Sequence, residues 1–125
     1  MIEISYNNQE DIIYVRRVGE ISSEDIFKYI NEIDKQFENH KTLYVLSDTR
    51  GSQTLFHQND LVLFVAEIKK RIGPYKKVRE ASIVDNPYDT ALGMMYEYIA
   101  SEIDKFKCKA FSTEEAAKSW LKSGS

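Results

Sequence analysis

Apolar and polar positions alternate at the start of the chain. Ile2, Ile4 and Tyr6 are separated by Glu3 and Ser5, the two-residue period of a half-buried strand. Asn7-Asn8-Gln9-Glu10-Asp11 is turn chemistry, and Ile12 to Val18 is rich in β-branched and aromatic residues. The two segments predict a hairpin, ended by Gly19. The period then lengthens. Ile26, Ile30, Ile33 and Phe37 recur at helical spacing behind Ser22 and Asp25, which form a capping-box variant. Thr42 to Leu46 predicts a short buried strand, and Ser47 to Ser52 a polar loop.

Leu61 to Val65 alone would suit a buried strand. Leu61, Phe64, Val65, Ile68 and Ile72 keep helical spacing across a longer window, with Glu67, Lys69, Lys70 and Arg71 on the other face. We read a helix, stopped by Gly73-Pro74. Val78 to Val84 predicts a strand. Asn86 then serves as N-cap, with Pro87 at the first helical position and Asp89 in the first turn. Tyr88, Leu92, Met95, Ile99 and Ile103 make the inward stripe of that helix. Phe106, Cys108 and Ala110 alternate with Lys107 and Lys109, the pattern of a strand at a protected sheet edge. Ser112-Thr113-Glu114-Glu115 reads as a capping box opening a last helix with Ala116, Ala117, Trp120 and Leu121.

The order is β-β-α-β-α-β-α-β-α. It predicts an α/β fold with a five-stranded, mostly parallel sheet, right-handed crossovers and one antiparallel strand. Residues 1–122 form one domain, and Ser123-Gly124-Ser125 a flexible tail. Composition narrows the class without naming a function. The 125 residues are 42% hydrophobic and 30% charged, a profile that supports a core without metal or disulfide staples. The net charge of −3 argues against nucleic acid as a partner. The one cysteine, Cys108, excludes an internal disulfide framework and falls on the apolar side of its strand. No export signal is evident in Met1-Ile2-Glu3-Ile4, and the longest apolar run, Leu61 to Ala66, is too short for a membrane span. The expectation is a cytoplasmic protein with no transmembrane segment.

The arrangement resembles the STAS fold, specifically its SpoIIAA-like branch, which is related in fold to the CRAL-TRIO lipid-binding proteins. The resemblance is carried by the hairpin into Val18-Gly19-Glu20-Ile21-Ser22, by Leu43-Tyr44-Val45-Leu46-Ser47-Asp48-Thr49-Arg50, and by Ala81-Ser82-Ile83-Val84-Asp85-Asn86-Pro87. It is carried also by the strand and capped helix from Phe106 to Ala117, closed by Trp120-Leu121. It implies a regulatory binding module. The best-known members oppose anti-sigma factors and are switched by phosphorylation of a serine at the start of the second helix, within an Asp-Ser-Ser-Gly type of element. The stretch Gly51 to Asp60 lacks that element; Ser52 and Thr54 are its only hydroxyls.

In open parallel sheets ligands bind beyond the carboxyl ends of the strands. That edge carries Glu20, Asp48, Arg50, Ser52 and Asp85, with Asp48 and Asp85 just after two neighbouring central strands. Paired carboxylates there suit a shared proton, a hard cation or a pairing with Arg50. The plain alternative is that Asp85 orients the helix start at Asn86 and Asp48 forms a turn cap or internal ion pair. Lys69, Lys70, Arg71, Lys76, Lys77 and Arg79 make a basic stretch, with Tyr75 as its one stacking side chain; a solvated face is the simpler account. Met94 and Tyr98 lie off the inward stripe of their helix and mark an apolar surface for a homodimer. A hydrolase of Ser52, His57 and Asp48 has no spacing to support it.

The combined expectation is a non-enzymatic module, without metal or cofactor, that recognises a protein partner or small ligand at the loop edge and forms a homodimer. One alternative is a carrier of lipid or another apolar small molecule, with a cavity around Phe64, Leu92 and Met95. The other is an enzyme using Asp48 and Asp85, which needs both in one cleft with a perturbed pKa.

Overall fold

The computed structural model describes residues 1–123. Its elements are β1 (Ile2–Asn7), β2 (Ile12–Arg17), β3 (Glu20–Ile21), α1 (Ser23–Gln36), β4 (Thr42–Asp48), β5 (Gln53–Thr54), α2 (Gln58–Arg71), β6 (Lys77–Ile83), α3 (Pro87–Ala100), β7 (Phe106–Phe111) and α4 (Glu114–Leu121). The main sheet has five strands in the order β1-β2-β4-β6-β7. β1 is antiparallel to β2, and every other neighbouring pair is parallel. This is the α/β architecture the periodicity predicts. The two short strands β3 and β5 pair in parallel as a separate ribbon, in segments to which the periodicity assigns no element.

α1, α2 and α3 cover one face of the sheet and α4 the other. Strand alternation divides the side chains between these layers. Leu43, Val45, Val78 and Phe106 join the core under α1–α3; Leu46, Ala81 and Ile83 pack on Ala117 and Leu121 of α4. α1 begins as its sequence requires: Asp25 N–H donates to Ser22 Oγ at 3.3 Å, and Ser22 N–H donates back to Asp25 Oδ2 at 2.9 Å. α3 approaches β7 closely, because Gly93 has no side chain; a Cβ there would lie 3.0 Å from Ala110 Cβ.

Three element details differ from the sequence reading. α2 starts at Gln58, ahead of its first apolar position, with the backbone N–H of its N-cap His57 held by Asp60 Oδ2 at 3.0 Å. α4 is capped by Thr113, whose Oγ1 accepts from Ala116 N–H, one residue later than the Ser112 cap predicted. The inward face of α3 runs through Asp89, Leu92, Tyr96 and Ala100, while Tyr88 and Met95 are exposed. Of the tail, Gly124 and Ser125 lie outside the described residues; Ser123 Oγ donates to the Trp120 carbonyl at 2.8 Å. Among the described residues no helix is long and apolar enough to cross a membrane.

Candidate functional site

The carboxyl edge brings some of the predicted residues together. Asp48 ends β4, and Arg50 folds back on it: Nε donates to Oδ1 and Nη2 to Oδ2, both at 2.9 Å. This bidentate pair holds Asp48 below the usual carboxylate range. Asp85 is exposed and accepts from Asn86 Nδ2 at 3.2 Å; its charge and that of Glu114 are felt at Arg50. Ser52 Oγ is committed to the turn, donating to the Thr49 carbonyl at 2.7 Å, and Glu20 is exposed on β3 opposite Gln53.

The basic stretch does not form one patch. Arg71 donates to Asp34 and Glu67, at 3.1 and 2.8 Å. Tyr75 is buried and donates to Asp34 Oδ1 at 2.8 Å. Arg79 lies beneath α4, its guanidinium 4.2 Å from the Trp120 ring centroid. Met94 and Tyr98 are 67% and 80% exposed, beside a shallow apolar groove between α2 and α3 that also takes in Val62 and Ile99.

A second site lies inside the fold. Between the sheet and α1–α3 is a cavity of about 140 Å³. Its walls are mostly aliphatic and aromatic, among them Ile30, Val45, Phe64 and Leu92. Phe64 and Leu92 are two of the three residues expected around an apolar cavity; the third, Met95, turns outward. Glu80 projects into this layer from the middle of β6 and is only 7% exposed. Tyr29 of α1 donates to its Oε2 and Tyr96 of α3 to its Oε1, each at 3.1 Å. Burial pushes the Glu80 carboxyl up, against the opposing influence of the Arg17 charge and the two tyrosines. Burial, with the Glu80 charge, pushes both tyrosines well above their usual range.

The rim of the cavity toward the carboxyl ends is polar. Arg17, Thr49, Thr54 and Asp89 line it, and Thr54 Oγ1 donates to Asp89 Oδ1 at 2.7 Å. At the opposite end the Arg71–Asp34–Tyr75 network ties α1 to α2 and to the loop entering β6. The arrangement suits binding: apolar walls and a few converging polar groups.

Sequence reasoning missed Glu80, Tyr29 and Arg17. One signal was available in Val78-Arg79-Glu80-Ala81-Ser82. A central parallel strand covered on both faces reads as nearly continuous apolar sequence, so two adjacent charges there demand buried partners. Alternation sends Arg79 to the α4 side and Glu80 to the cavity side.

A family model described as SpoIIAA-like matches residues 12–122. No curated protein matches the chain in sequence. Among solved structures, it is similar to an uncharacterized protein of the DUF3478 family with a SpoIIAA-like fold from Shewanella loihica PV-4. That match has 17% identity and a TM-score of 0.63, and covers 97% of this chain and 92% of the other.

Proposed function

The chain belongs to the SpoIIAA-like family, and from that premise we propose that it is a non-enzymatic binding module whose ligand is a compact, largely apolar molecule held between the sheet and α1–α3. The cavity carries this reading. At about 140 Å³ it falls well short of the roughly 300–1,000 Å³ of drug-sized pockets. It is close to an engineered apolar cavity of about 150 Å³ that takes up benzene. That volume favours a benzene-sized molecule over a full lipid. The carboxyl edge is the weaker candidate for a ligand, since Asp48 and Arg50 neutralise each other and Ser52 is engaged. A proton-transfer role for Asp48 is disfavoured as well, because Arg50 lowers its pKa, whereas a general acid needs it raised.

Benzene and indole titrated into isotope-labelled protein test the reading. Saturable amide shifts concentrated in β4, β6 and α1–α3 are expected. Absence of saturable shifts up to the solubility limit of both probes defeats it.

A second reading rests on a separate observation: Val62, Met94, Met95 and Tyr98 are all exposed around one groove. They supply the contact of a regulatory homodimer, and the oligomeric state in solution decides it.

A further inference from the structure

The polar groups around the cavity define what the ligand's head must be. Strand register arranges the cavity-facing side chains of the sheet in rows. Ile13, Val45, Glu80 and Cys108 form one row, and Val15, Ser47, Ser82 and Ala110 the next toward the carboxyl ends. Two residues further along their strands stand Arg17, Thr49 and Val84. The middle row is mostly small, which leaves room above the sheet. Glu80 flanks that room on one side and Arg17 on the other, and both line the cavity.

Each is incompletely satisfied. Glu80 accepts one tyrosine hydroxyl on each oxygen, which makes both oxygens acceptors and leaves each a lone pair. Among the described residues no cation forms an ion pair with it; Arg17 acts on it only through space. Arg17 Nε is cut off from solvent, and among the described residues it has no hydrogen-bond partner. Ser47 Oγ, in the middle row, is in the same position. Buried polar atoms are almost always paired, so an acceptor with spare lone pairs and an unpartnered donor lining one cavity mark it as a place for a polar ligand atom.

Building on the reading of the cavity as a ligand site, we propose that it takes an uncharged, benzene-sized molecule bearing a hydroxyl head, a phenol or compact alcohol. Its O–H donates to a spare lone pair of Glu80. A charged head would have to shed its hydration on entry. The apolar body meets Ile30, Phe64 and Leu92.

Calorimetric titration of the whole protein with phenol, benzene, benzoate and benzylamine tests the assignment. Phenol is expected to bind at least about tenfold more tightly than benzene, as loss of a buried hydrogen bond implies, and more tightly than either charged probe. In Glu80→Leu the benzene affinity should persist while the advantage of phenol disappears. Equal affinities for phenol and benzene overturn the hydroxyl assignment and leave the apolar site standing. Tighter binding of benzoate or benzylamine than of phenol overturns it also, in favour of a charged head. If none of the four binds, the cavity reading fails with it. The comparison of probes on the unsubstituted protein stands even if Glu80→Leu does not fold.

Discussion

Glu80 sits where a carboxyl group is costly, in the middle of a central strand with helices on both sides of the sheet. Its oxygens are met by Tyr29 and Tyr96, yet burial still raises its pKa from the ordinary value of 4.5. A group whose folded pKa is raised contributes stability that is fully present below the unfolded value and lost as pH climbs through the folded one. Glu80→Gln keeps the shape and an acceptor oxygen but removes the titration. Between about pH 4.5 and pH 8, urea denaturation should show the variant gaining stability relative to the unsubstituted protein as pH rises. A constant difference across that range would mean that Glu80 titrates alike in the folded and unfolded chain. Cys108, next to Glu80 in register, is the opposite kind of residue: burial, with the Glu80 charge, pushes its thiol far up, so it is unreactive packing.

At the scale of elements, the helix layer over the cavity is held at one end by a small polar network. Asp34 near the end of α1 receives Tyr75 at 2.8 Å and Arg71 of α2 at 3.1 Å, while Arg71 also reaches Glu67. Asp34 and Arg71 are each about one-third exposed, 30% and 33%, so solvent screens their attraction and the buried tyrosine hydroxyl carries the larger consequence. Asp34→Ala should cost about 1–2 kcal/mol, mostly by leaving that hydroxyl without its acceptor. Amide exchange should quicken first in the last turns of α1 and α2. Uniform quickening across all elements would show that the network does not act locally.

The same elements show what periodicity conveys. α1 was fully legible, because Ile26, Ile30 and Ile33 are buried and its cap is intrinsic to Ser22 and Asp25. α3 was legible in place but not in rotation. Tyr88 and Met95 count as apolar by type, but the face is set by Gly93 against Ala110 and by Tyr96 reaching Glu80. Those partners lie far away in sequence, so no local pattern contains them. The Asp48–Arg50 pair, two residues apart, was within reach of local reasoning. The Glu80 cluster, joining β6 to α1 and α3, was not.

Taken whole, the molecule has two unequal faces. α4 alone closes one side, and three helices cover the other. The surface of the three-helix layer carries the exposed apolar side chains of α2 and α3: Val62, Leu63, Met94, Met95 and Tyr98. Folded monomers seldom leave large apolar groups contiguous, and a face of this kind is normally covered by a partner. A second copy is the most economical partner, since a two-fold contact uses one patch twice. The substitutions least able to disturb the fold are on that face: Met94 and Tyr98 point outward and touch neither the cavity nor the sheet core. Met94→Asp with Tyr98→Asp should therefore leave the unfolding midpoint nearly unchanged while burying like charges in any symmetric contact. Sedimentation velocity over rising concentration should show dimer in the unsubstituted chain and monomer in the double variant. A single monomeric boundary for both chains at every concentration would exclude the homodimer, and would leave that face to a partner of another kind.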